Sequence, residues 1–506
     1  MNDDQDHQLR LEIRYLSSAL HGRTIRFGLG GRDRTPSLDY FYDVGPRLGI
    51  FSHAAALLAA ETGHSVALTG FIAAPGERSS LIVSVGEPSS AGIPQAATKD
   101  SSSGPMPPLT RFETHASFVQ QGLQLLAQRK LTMDALHRRF LQKFHETLRG
   151  RLSMLAARWD GDILEILGTD VPPQTATYGR RIAGNIFFPS HLAKEVRATV
   201  PGLLPDEASE APVNPSTFSA CTKLVGICLR RLGAAFGVPA LGGTAHPPSS
   251  GDLDEAHTWI CILFLLQQSP AVKELFRVLH GVFTPNLTSQ STGVANYDLP
   301  PGNKSSTFHS HLGVIVSWFA AIFHLSYVRG AALPSEFLLV RDLQRSREPS
   351  ATDRFRSMDA DMHARLGKIM SSTDRADIDK SGDVHPAAKV FSVLAEARRR
   401  RGEVAFAAHP TRWPVGTSNE LCCWMCWQLA QQLTNRLEGP SVALSATHCV
   451  VVGWTPPTLV PLSSDVLRQL RDALFDVYVQ VYLEEVKSLR VHKKIPTTTK
   501  REIGWI

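Results

Sequence analysis

The sequence predicts an α/β fold, α+β overall, with a mixed and largely helical N-terminal region. Three observations carry this. Residues 110–160 show sustained helical periodicity, with Leu136, Phe140, Phe144 and Leu148 stepping by four along one face. The stretch Asp383–Leu429 reads as helix, short apolar strand, helix. Beyond it, Val442–Trp454 (VALSATHCVVVGW) reads as a long apolar strand and Ser463–Lys487 as a helix.

Composition bounds the rest. The 506 residues are 43% hydrophobic and 20% charged, ordinary for a soluble globular chain large enough for two to four domains. A net charge of +6 is too diluted over this length to mark a nucleic-acid binder. Seven cysteines, three of them crowded into Cys422–Cys426, do not form a secreted disulfide framework. The N-terminus, MNDDQDHQLRLEIRYL, lacks the apolar core of a signal peptide. An intracellular location, cytoplasmic or nuclear, is therefore expected, with the sequons at Asn286 and Asn303 unglycosylated. Trp259–Leu266 and Leu312–Phe323 fall short of the ~20 apolar residues that span a bilayer and read as buried core helices, so no membrane partner is expected.

Taken in order, residues 1–94 form an α/β region. Thr24–Phe27 (TIRF) is a strand candidate, and the following GLGGRDR fails as a dinucleotide loop because Asp33 stands where a third glycine is needed. His53–Ala60 reads as a helix and Ser65–Ile72 as a buried strand. Residues 95–109, rich in Ser, Pro and Gly, read as a linker. Residues 110–306 read as largely helical, with polar breaks at 205–216, 238–254 and 286–306. His137 and His145 read as solvated or satisfied histidines, and Cys221 and Cys228 as small core residues. His309–Val328 reads as an apolar helix whose His309, His311 and His324 lack partners for a metal. A short helix is expected near Met358–Met370, and residues 491–506 read as a basic, solvated tail.

The chemistry concentrates between His385 and Cys426. Pro386 suits the first position of a helix, which puts His385 at or near its N-cap. Ala387, Val390, Phe391 and Leu394 give that helix a buried face, and Arg398–Arg401 complement its C-terminal dipole. Glu403–Ala408 reads as a strand, Gly416–Asn419 follow, and Ser418 or Asn419 reads as the cap of the next helix. On that helix Cys423 and Cys426 share a face, as do Cys422 and Cys426. A C-x-x-C pair with a histidine 38 residues before its first cysteine offers three zinc ligands and leaves the fourth position open.

This order resembles the zinc deaminases of nucleotides and nucleic acids, whose signature is H-x-E…P-C-x-x-C. It is most similar to a deaminase-like family frequent in fungal proteomes, over roughly residues 307–490. The resemblance implies a cytidine-deaminase-like, three-layer α/β/α domain with His385, Cys423 and Cys426 as zinc ligands and Cys422 as an alternative. It also implies a catalytic glutamate at the second position after the histidine, where this chain has Ala387. Alanine moves no proton, and general acid–base groups contribute ~10²–10⁴-fold. The expectation is therefore a zinc-binding pseudoenzyme with a binding or scaffolding role, its partner a protein, nucleic acid or nucleotide. Two alternatives stand beside it. One is an active hydrolytic deaminase with a carboxylate from another segment, the other a zinc-free structural or interaction protein.

Overall fold

In the computed structural model, the described residues are 2–20, 49–59, 65–71, 80–85, 108–158, most of 184–272, 304–327, 336–339, 384–399, 412–418, 422–436, 441–444, 453–457 and 462–493, with isolated positions between. They are mixed α and β and mostly helical. Thr24–Phe27, the glycine-rich GLGGRDR, Met358–Met370 and Glu403–Ala408 lie outside the described residues, as does the tail beyond residue 493.

Two strands at the front of the chain lie at the middle of the main sheet. Strand β1 (Val66–Phe71) and strand β2 (Ser80–Val85) pair antiparallel. With β5 (Glu336–Leu339), β6 (Arg412–Thr417) and β7 (Ser441–Leu444) they form five strands in the order β5-β2-β1-β6-β7. β1 is antiparallel to both neighbours, whereas β2 with β5 and β6 with β7 are parallel. Segments 1–94 and 307–490 thus share one sheet.

The sheet divides two cores because side chains alternate across it. Val66, Leu68, Leu81 and Val83 face a large helical core. Residues 49–58 (α2), α3 (Pro108–Ala127), α4 (Met133–Arg158), α6 (Phe218–Ala235), α7 (Ser250–Gln268) and α8 (Lys304–Tyr327) build it, and between α4 and α6 a short β3 (Gly184–Phe187), α5 (Ser190–Thr199) and β4 (Glu210–Val213) add to it. Phe140, Trp259 and Trp318 are buried there, as are Leu136, Phe144 and Leu148. Ala67, Val415 and Leu444 face the second core, which holds the candidate site. Its helices are α1 (Asn2–Ala19), α9 (Pro386–Arg399), α10 (Trp424–Arg436) and α11 (Ser464–Lys493).

Several sequence boundaries move. The expected linker ends earlier, because α3 already starts at Pro108. Residues 250–254 are helical, since Ser249 and Asp252 close a reciprocal capping box at the start of α7. Gly416 and Thr417 end β6. Gly416 is needed there: a Cβ would fall 2.3 Å from the Phe51 carbonyl carbon and the Ser52 nitrogen, so its absence lets α2 lie directly on the sheet. Ser418 caps no helix; its hydroxyl accepts from the Val66 N–H at 3.1 Å and extends the β1–β6 pairing.

Candidate metal centre

Helix α9 starts as Pro386 requires. The Lys389 N–H donates to the His385 carbonyl at 3.2 Å, which makes His385 the N-cap residue. Ala387, Val390, Phe391 and Leu394 then point into the second core and hold the helix against β1 and β2. His385 projects from this fixed end, partly exposed.

Helix α10 starts at Trp424, one residue after Cys423. Only Cys426 of the three cysteines is therefore helical, a correction to the placement of Cys422 and Cys423 on the same helix. Cys423 is the N-cap: its carbonyl accepts from the Trp427 N–H at 3.1 Å, and its Sγ accepts from the Cys426 N–H at 3.4 Å. A sulfur here takes the part that a serine oxygen usually plays at a helix start.

The two helix starts converge. His385 Nδ1 lies 3.1 Å from Cys423 Sγ and 3.7 Å from Cys426 Sγ. The three donor atoms all lie within 4.8 Å of one another, and no other such group occurs among the described residues. Cys422 is buried beside them but is not a member. Tetrahedral zinc with ordinary Zn–N and Zn–S bonds would set a nitrogen and a sulfur about 3.5 Å apart. The two N···S distances straddle that value, so the cluster could hold a metal ion. Both sulfurs are buried, and only the histidine side meets solvent.

The electrostatics favour an anionic sulfur. Burial opposes ionisation of Cys423, but the Cys426 thiol, the charge and hydrogen bond of His385, and the Cys426 N–H outweigh it and hold its pKa well below the usual thiol range. Burial and the neighbouring Cys423 and Cys422 sulfurs push Cys426 well above that range. A divalent cation would favour two thiolates.

Other sequence candidates fall elsewhere. Cys221 and Cys228 are buried thiols, and burial pushes Cys221 up to about 12, as suits small core residues. His137 is buried against His257, and His145 bonds the Gln142 carbonyl. Ala387 is 4% exposed and packs among apolar side chains. Sequence reading missed Ser17 and Trp454, which meet over 437 residues of separation; no local pattern links them. Among the described residues, no helix is long and apolar enough to cross a membrane.

No family model, curated protein or solved structure matches the chain.

Proposed function

We propose that the protein is a zinc-binding, deaminase-like pseudoenzyme with a binding or scaffolding role. The convergence of His385, Cys423 and Cys426 carries this reading. One imidazole and two thiolates suit zinc: soft sulfur ligands disfavour magnesium and calcium, and three protein ligands leave one position for water or a ligand.

The deaminase-like part of the reading is supported by element order. A histidine at the start of α9, strand β6, and C-x-x-C at the start of α10 follow one another in the order expected of a zinc deaminase, and β7 continues parallel to β6. The unit would comprise residues 2–85 with 384–493, because α1, β1 and β2 complete its sheet and core. The helices of 108–327 would then be an insertion between β2 and α9.

Hydrolytic deamination needs a carboxylate to carry a proton from water to the leaving ammonia. Ala387 offers none, and among the described residues no carboxylate joins the metal-ligating group. The wild-type protein should therefore release no ammonia from cytidine, deoxycytidine, adenosine or their nucleotides. Turnover by wild-type protein as fast as by an Ala387→Glu variant would reject the pseudoenzyme reading in favour of an active deaminase.

A further inference from the structure

Trp454 sits at the site without being one of its ligands. Its side chain is fully buried in the second core. Its indole N–H makes no well-formed hydrogen bond, although the Cys426 sulfur lies within its reach. A neutral thiol is a poor acceptor, whereas a metal-bound sulfur is a thiolate and a good one. A buried donor left unsatisfied is unfavourable, and a metal-bound sulfur at this place would satisfy it.

The backbone of Trp454 is fixed from the other end of the chain. The Trp454 N–H donates to Ser17 Oγ at 2.9 Å, and Ser17 Oγ lies 3.0 Å from the Trp454 carbonyl. The single hydroxyl proton of Ser17 goes to that carbonyl or to the Arg14 carbonyl at 3.1 Å. Two turns earlier on the same face, Arg10 donates to the Pro457 carbonyl at 3.0 Å. Helix α1 thus grips both ends of residues 454–457.

We infer that Trp454 is a positioning residue for the metal centre, its indole N–H donating to the Cys426 thiolate, and that helix α1 holds it there through Ser17. This rests on the metal reading above. The N–H···S contact orients the sulfur and stabilises its negative charge, as outer-shell donors do at other metal sites. The N-terminal helix is then part of the site, not only of the fold.

The test replaces Trp454 with β-(3-benzothienyl)alanine, which keeps the ring shape and puts sulfur where the N–H was. Trp454→Phe and Ser17→Ala serve as encoded variants. Zinc affinity is measured by chelator competition, and the sulfur-to-metal charge-transfer band is recorded after cobalt(II) loading. The inference expects zinc dissociation constants about 10-fold or more higher in the benzothienyl protein, with a smaller rise for Ser17→Ala. It also expects the cobalt band to shift to lower energy, which a merely structural defect would not produce. A benzothienyl protein with wild-type affinity and an unshifted band would overturn it. Wild-type protein with neither zinc affinity nor a cobalt band would overturn the metal reading and this inference together.

Discussion

His137 on α4 and His257 on α7 meet Nδ1 to Nδ1 at 2.8 Å, so one ring must donate and the other accept. Two imidazolium rings cannot share this contact. Burial and the His257 and Arg138 charges hold His137 well below the usual imidazole range, and burial lowers His257 despite Asp134, 3.5 Å from its Nε2. A second pair, His53 on α2 and His324 on α8, stacks at 4.7 Å. Burial and His324 lower His53 to about 4.

The sign of the pH dependence follows. These histidines bind protons more readily unfolded than folded, so their neutral pairs stabilise the fold fully above the unfolded value of about 6.5 and progressively less as pH falls through the window towards about 4. His53 alone would account for at most ~3 kcal/mol. Urea midpoints should fall from pH 7.5 to pH 5, and the fall should be shallower in a His53→Gln, His257→Gln double variant. Equal slopes in the two proteins would remove the pairs as its cause.

Replacing one cysteine at a time separates Cys422 from its neighbours. Cys422→Ser should keep its metal, because Cys422 lies outside the converging group. Cys423→Ser and Cys426→Ser should each weaken zinc binding more than about 100-fold, beyond what loss of an outer-shell partner costs. Retention of zinc by Cys423→Ser with loss in Cys422→Ser would redraw the ligand set.

Gly416→Ala should destabilise the protein by about 2 kcal/mol, since the new methyl meets the α2 backbone at Phe51 and Ser52 and neither side can yield cheaply. Denaturant titration checks this. A neutral effect would mean that α2 shifts freely on the sheet.

Glu12 is 1% exposed and accepts from Arg471 at 2.8 Å, an ion pair that ties α1 to α11. Glu12→Ala should cost about 2 kcal/mol, less than breaking a fully buried pair, because part of the Arg471 side chain remains in solvent. The same variant should weaken zinc binding only slightly if Ser17 and Arg10 are the contacts that matter at Trp454.

The site was more legible in the sequence than the fold. His385, Cys423 and Cys426 announce themselves through residue type and spacing, and Pro386 fixes where α9 starts. β6 was not legible, because its RWPVGT contains Pro414 and Gly416, which read as breakers. Proline is tolerated there with its carbonyl accepting from the Thr69 hydroxyl at 2.9 Å, and glycine is demanded by the close approach of α2. β2, with apolar residues at Leu81, Ile82 and Val83, was also missed. Its pairing with β1, and that of β1 with β6 over more than three hundred residues, depends on contacts that no local periodicity encodes.

The central claim is tested most directly by the metal content of the purified protein. Full-length protein prepared without chelators or metal-affinity steps should carry close to one zinc per chain by elemental analysis, and a His385→Ala, Cys426→Ser double variant of retained fold should carry none. Wild-type protein with no bound zinc, which also fails to take it up when zinc is added, would contradict the account.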